Sequence, residues 1–373
     1  MKKVGICTLY TGLNYGSALQ AFSVQYFLRK RGFWPEIIGV NDSFIAGRNV
    51  SLTKLFGILM TIVVHPVSTK GALKGYFRSP SRRVSDISKK RFLAFYRQEL
   101  NPSRYSKRIL TKKAKSDEFF AFVCGSDQIW SGTALYVDRF YYLRFAPKAK
   151  RISFAPSFGS DFIPAYNRNK LAKYISQIRF LSVREESGQS LIKEMTGLDS
   201  TVIVDPTLLL GRQEWVEALG LETKAERSKR VAVYFLDEIS PEAKKFIDSL
   251  IQCGYVPVDL SPGKDCAFGP KEFVDVILNS DFVVTDSFHG TAFSINFNVP
   301  FATFSRNYQS RNQSTRIVSL LNKTGLLSRL DPAEPDFQVD FHYAQSILTG
   351  EKQKAMDYLT SALESIEEEG KYE

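Results

Sequence analysis

Short apolar runs alternate with segments of helical periodicity along most of this chain, and that alternation restricts the fold more than any other feature. VGICTL, residues 4–9, reads as a buried strand. A loop rich in Gly and Asn follows, YTGLNYGS. Next comes ALQAFSVQYFLRKRG, with helical spacing, a basic last turn and Gly32 as its stop. WPEIIGV is the next strand. The opening is therefore β–loop–α–β, of Rossmann type. Its loop carries Gly12 and Gly16 without the G-x-G-x-x-G spacing, so no dinucleotide is implied.

The rhythm continues through the strands FFAFVCG, RISFAPSFG, RFLSVREESG and TVIVDPTLLL, with helices expected over 167–179 and 187–196. It pauses near Leu210 and restarts with RVAVYFL. Two successive parallel α/β runs predict two Rossmann-like domains facing across a cleft. We expect a first domain over 1–210 with an insertion at about 43–116, a second over 211–340, and a terminal helix and tail over 341–373. A chain of 373 residues fits two cores better than one.

One of only three histidines sits at a joint of this pattern, in DFVVTDSFHGTAFSINF. Phe282, Val283 and Val284 read as a buried strand, and the residues after Gly290 read as a helix. Asp286 and Ser287 suit its N-cap. His289 thus lies at the carboxyl end of a strand, where ligands bind in open α/β sheets. It also lies by a helix N-terminus, which favours anions. The plain alternative is a buried His meeting a local hydrogen bond.

Other polar residues fall at strand ends: Asn14, Tyr15, Gly16 and Ser17; Ser126, Asp127 and Gln128; Arg184 and Glu185; then Arg306, Arg311 and Arg316. Singly, each has a bland reading: Asp127 as a turn cap, Arg184 as an ion-pair partner, Arg316 as part of an exposed helix face. Together they line the edge where a cleft should be.

Charge is uneven. Residues 70–115 hold 15 Lys and Arg against only Asp86 and Glu99, a surplus of 13 within a net charge of +11. The remainder is about neutral. Just before this stretch stands LFGILMTIVV, residues 55–64, too short to span a bilayer. It reads as a core helix or as an apolar face at a membrane surface. Basic residues beside it suit anionic lipid, whereas no nucleic-acid motif is present. A solvated basic face is the plain alternative. The four cysteines are scattered without a C-x-x-C pair, so buried reduced thiols are expected and a structural zinc site is not. No signal peptide and no spanning segment is read, and a cytoplasmic protein is expected, with peripheral membrane contact through 55–115.

The segments LNYGSALQAFSVQYFLRKRGF, VCGSDQIW, ISFAPSFGS, LSVREESG, VDPTLLL and FVVTDSFHGTAFSI resemble, in order and spacing, the polysaccharide pyruvyl transferase family. The resemblance runs from about residue 4 to 327. It implies a GT-B-like fold, with an acceptor side in the first domain and a donor side in the second. It implies transfer of the enolpyruvyl group of phosphoenolpyruvate to two hydroxyls of a sugar. The product is a cyclic pyruvate ketal on a polysaccharide or lipid-linked glycan precursor, with release of phosphate and no cofactor or metal.

His289 matches the family histidine tied to phosphoenolpyruvate and acid/base chemistry, and Arg184 matches an arginine that is a candidate anion ligand. Several members carry an arginine where this chain has Ser287, so one donor-binding cation is replaced, and Arg306 or Arg311 is offered as the substitute. Ser287 and Gly290 complete the donor side. Asn14, Tyr15, Ser126 and Gln128 are the acceptor-side candidates. Asp127, Asp286 and Glu185 remain open as the base. Two rival functions stand beside this one: a nucleotide-sugar glycosyltransferase on the same fold, and a non-catalytic glycan- or membrane-surface-binding protein.

Overall fold

A computed structural model describes residues 1–40, 52–66, 69, 84–223, 229–306 and 315–369. β1 (Lys3–Cys7) leads into α1 (Tyr15–Lys30) and β2 (Trp34–Val40). The Asn14 side chain accepts a hydrogen bond from the Ser17 N–H and so satisfies one free donor at the start of α1. α2 (Leu52–Val64) follows. α3 (Asp86–Phe95) runs through a π-helical turn at Tyr96–Leu100 into β3 (Ser103–Tyr105), α4 (Lys107–Lys115) and β4 (Ala121–Cys124). With β5 (Arg151–Ser153) these strands make a parallel sheet in the order β3-β2-β1-β4-β5. α5 (Ala165–Ile175) precedes a short parallel pair, β6 (Ser182–Val183) and β7 (Thr201–Val202), which flanks α6 (Glu186–Thr196).

The break expected at 43–116 is narrower in the fold. β3 extends the sheet, and α3 with its π turn buries Phe92, Phe95 and Tyr96. α2 does the opposite of a core helix. Leu52, Phe56, Leu59 and Val63 are each more than half exposed.

The second half begins at α7 (Arg212–Leu219) and alternates through β8 (Arg230–Tyr234), α8 (Pro241–Gln252), β9 (Val256–Asp259), α9 (Pro270–Leu278), β10 (Phe282–Thr285), α10 (Phe288–Phe297), β11 (Phe301–Thr303) and α11 (Thr315–Lys323). Its four strands are parallel in the order β11-β10-β8-β9. β8 and β10 run VAVY and FVVT fully buried, as strands covered by helices on both faces should.

The last helix, α12 (His342–Glu369), returns to the first half. The Tyr358 hydroxyl donates to the Ser153 carbonyl at 3.0 Å, Lys2 pairs with Glu367 at 2.6 Å, and Arg179 pairs with Glu369. Two Rossmann-like halves strapped by a terminal helix make this an α/β chain of GT-B-like arrangement. One apolar cluster runs through both halves and includes Phe22, Phe92, Trp215, Phe273 and Phe293. Among the described residues, no helix is long and apolar enough to cross a membrane.

Candidate active site

The first turns of α1 and α10 meet face to face. A Cβ on Gly16 would stand 2.0 Å from Nδ1 of His289, so only glycine lets α1 approach the imidazole. Gly290 is a second such position. A Cβ there would come within 2.5 Å of the Thr285 hydroxyl, so this glycine lets α10 pack on the end of β10. His289 is thereby held at the joint of the two halves and is only 9% exposed.

Its nearest charged neighbour is a residue that the sequence did not single out. Asp205, in VDPTLLL, sits fully enclosed, with Oδ2 3.9 Å from Nε2 of His289. The same Oδ2 accepts a hydrogen bond from Nη1 of Arg184. Its Oδ1 accepts from the Thr207 N–H at 3.0 Å and the Thr207 hydroxyl at 2.8 Å. Burial alone would raise this carboxyl. Arg184, His289 and Thr207 outweigh burial and bring its pKa down to about 2. Arg184 shows the complementary balance. Burial disfavours its charge, but Asp205, Glu185 and Asp127 overcome that and raise its pKa. His289 is pushed below its ordinary value of 6.5, first by burial and then by Arg184 and Arg316, against the opposing pull of Asp205 and Asp127. The site therefore holds a permanent anion, a permanent cation and an imidazole biased towards its neutral form.

Several polar groups here make no hydrogen bond, although Nε of Arg184 lies 3.8 Å from Oε2 of Glu185 as an ion pair. Nε and Nη2 of Arg184, Nε2 of His289 and Oε2 of Glu185 are buried with no hydrogen-bond partner among the described residues. Buried donors and acceptors are nearly always paired in a protein interior, so a cluster of unpaired ones marks a place built for something else. Beside them a small cavity opens between the halves. Its walls include Arg184, Glu185, Asp205, Phe288 and Arg316. Both guanidiniums lie over the Phe288 ring, Arg184 at 5.2 Å and Arg316 at 5.6 Å. Burial lowers the pKa of Arg316 to about 10, which still leaves it charged at neutral pH. Among the described residues, no three His, Cys, Asp or Glu side chains are grouped as a metal ion would require.

The arrangement is two arginines, a neutral imidazole and a screened carboxylate at an interdomain joint. It can bind an oxyanion and move a proton. A family model described as polysaccharide pyruvyl transferase matches residues 14–308, well over half of the chain. The chain belongs to the polysaccharide pyruvyl transferase family. No curated protein sequence matches it. Solved structures similar to it include the UDP-N-acetylglucosamine 2-epimerase of Rickettsia bellii, at 10% identity and TM-score 0.42, covering 98% of each chain. Another is the E. coli heptosyltransferase with a bound ADP-2-deoxy-2-fluoro heptose, at 10% identity and TM-score 0.35, covering 84% of this chain and 91% of that one.

Placed on this structure, the residues expected from sequence divide. His289, Arg184 and Glu185 meet in the cluster just described. Asp127 reaches it from the first half, where it accepts a hydrogen bond from the Ser17 hydroxyl. Gln128 follows Asp127 at the first-half rim, and Asn14 serves as the α1 cap. Ser126 is fully buried. Its N–H donates to Oε1 of Gln20 at 2.9 Å and its hydroxyl donates to the Ala155 carbonyl at 2.8 Å, so it shapes the turn that carries Asp127.

Three expectations are corrected by the packing. Tyr15 does not face the cavity. Its ring stacks on Phe273 at 4.5 Å and Phe92 at 5.2 Å inside the shared core. Asp286 is not a free base, because its two oxygens accept the N–H groups of Leu236 and Asp237 at 2.7 and 3.0 Å. Arg306 is committed to that same residue, with Nε 3.2 Å from the Asp286 carboxylate and donating to its carbonyl at 2.9 Å. It is therefore not the substitute for the cation absent at Ser287. Ser287 is buried and makes no side-chain cap, and its N–H donates to the Thr285 hydroxyl at 3.0 Å. Arg311 lies outside the described residues.

Arg316, which the sequence also allowed on an exposed face, instead walls the cavity. Sequence reasoning passed over Asp205, although a signal existed. An Asp between a buried strand, VIV, and a Pro needs a cation, and the arginine of SVRE is the natural one.

Proposed function

We propose that this protein transfers a pyruvyl group from phosphoenolpyruvate to two hydroxyls of one sugar in a glycan, forming a cyclic ketal and releasing phosphate. The observation that carries this reading is the pair Arg184 and Arg316, both over the Phe288 ring beside His289, with Nη2 of Arg184 making no hydrogen bond. Phosphoenolpyruvate is small and multiply anionic, and guanidinium groups fork onto its phosphate or carboxylate. Arg316 takes the place of the arginine that other members have at Ser287.

In the reaction, a first sugar hydroxyl gives its proton to His289 as it adds to C2, and that proton passes on to the methylene carbon while C2 carries oxocarbenium character. The C2–O bond to phosphate then breaks, and a second hydroxyl adds, its proton leaving with the phosphate. An imidazole biased towards neutrality can take a hydroxyl proton and return it to carbon. Asp205 holds the charge that His289 gains on protonation, while Asp127 or Glu185 stands near enough to orient a hydroxyl. A buried, charged site strengthens each of these effects relative to water.

The test is incubation with phosphoenolpyruvate and a panel of glycans, reading phosphate release and the mass of the acceptor. The expected result is an acceptor heavier by one pyruvate ketal. Sugar transfer from a nucleotide sugar with no reaction of phosphoenolpyruvate would overturn the proposal.

A further inference from the structure

α2 is inside out. Its outward stripe is Leu52, Leu55, Phe56, Leu59, Met60 and Val63, spaced as one face of a helix, with Phe56 65% and Val63 64% exposed. Its inward side is mixed: Gly57 and Thr61 lie there with half-buried Ile58 and Ile62. A Cβ on Gly57 would come within 2.8 Å of the Tyr136 ring, and Thr61 is buried with its hydroxyl donating to the Gly57 carbonyl. A soluble helix shows water its polar face. This one makes its closest approach through Gly57 and Thr61, half-buries two isoleucines and offers its larger apolar face outward. Contiguous apolar exposure of this kind marks an interaction surface.

The surrounding charge selects the partner. No Asp or Glu occurs from residue 43 to 85. Tyr136, on which α2 rests, has Asp138, Lys107 and Arg139 as its charged neighbours, two cations to one anion. α4 begins at Lys107 and continues with exposed Arg108, Lys112 and Lys115. An apolar helix face beside a run of cations matches the acyl boundary and the anionic headgroups of a lipid surface.

We propose that α2 lies flat in the surface of an anionic lipid bilayer, with α4 supplying the electrostatic contact. Tyr136 belongs to the loop that follows Asp127 and Gln128, so the bilayer adjoins the first-half rim of the cleft. A glycan acceptor carried on a lipid would then be presented to that rim. The acceptor statement rests on the proposed transfer, but the membrane contact does not. Of the basic residues of α3, Lys89 pairs with Asp86 and Arg91 with Glu272 of the second half.

The experiment is co-sedimentation of the full chain with zwitterionic vesicles, with and without anionic lipid. We expect binding only with anionic lipid, and binding that falls with added salt. Phe56→Glu with Leu59→Glu should leave the protein in the supernatant, still folded and still active on a soluble acceptor. Lys112→Glu with Lys115→Glu should weaken partitioning by about tenfold or more. Phe56→Trp should bind like the natural chain, with its fluorescence quenched by brominated lipid.

Recovery of the natural chain in the supernatant at low salt with excess anionic vesicles would overturn the proposal. So would a dimer, dissociated by Phe56→Glu with Leu59→Glu, that ignores lipid. Vesicle binding without pyruvyl transfer would reject the proposed function and leave the anchor standing.

Discussion

At the residue scale the site is a balance of charges around one imidazole. Replacing His289 by Asn keeps a polar side chain and removes the titratable group. We expect turnover to fall by about a hundredfold to ten-thousandfold with the far-UV spectrum unchanged. Near-normal turnover in the folded variant would sink the assignment. Because burial depresses the pKa of His289, the folded chain resists protonation there while the unfolded chain accepts a proton near 6.5. Between those values the unfolded state binds more protons, so stability falls as pH drops from 6.5 through the lowered pKa. Urea midpoints measured across this window should slope in the natural chain and flatten in His289→Asn. Asp205→Ala should be costly for a different reason. It leaves Arg184 as a buried cation without its principal partner, at a cost of about 3–5 kcal/mol. The double variant with Arg184→Ala should lose less than the two single losses added together. Of these residues, His289 and Arg184 were legible because each stands at the end of a strand with an obvious break in pattern. Asp205 was passed over: its place between VIV and Pro206 called for a cation, but that partner lies 21 residues away in sequence and comes beside it when β6 and β7 pair.

At the element scale the decisive event is the approach of α1 to α10. Gly16→Ala adds a single methyl, yet that methyl would displace the imidazole, because α1 cannot retreat from the core packed around it. We expect activity to drop at least about a hundredfold, with little loss of helix. Activity within a few-fold of the natural chain would mean that the two helices part easily. Gly350 makes the contrast. It lies inside α12, and a Cβ added there would meet nothing within 4 Å. Gly350→Ala should therefore stabilise the protein by about 0.5–1 kcal/mol without touching catalysis. Strand and helix order was legible almost throughout, since buried parallel strands read as apolar runs and the helices between them carry caps. α2 was ambiguous because a ten-residue, mostly apolar run looks the same in a core and on a surface. Only Gly57 and Thr61, set on the side that packs, reveal which face turns inward.

At the scale of the whole molecule, the two halves are not independent bodies joined by a linker. Tyr15 belongs to the first half, Phe273 and Tyr234 to the second, and Phe92 to α3, and these rings stack in one group. α12 ties the same halves together from the other direction through Tyr358 and its ion pairs. Tyr15 reads as a ligand residue in the sequence because it follows a Gly/Asn loop and precedes Gly16. Its hydroxyl instead lies 3.3 Å from the Cys266 sulfur, and burial drives its pKa far up, as befits a core residue. Chains with two domains often unfold in steps, but a shared core should merge the steps. We therefore expect one thermal transition, with calorimetric and van't Hoff enthalpies in agreement. Tyr15→Ala removes the central ring and should cost about 3–5 kcal/mol, as deletion of a buried aromatic typically does. It should also loosen the coupling, so that the variant melts in two resolved transitions. Two transitions in the natural chain would show that the halves fold separately. Their joint, and with it the position of His289 against Gly16, would then be set by ligand rather than by the fold.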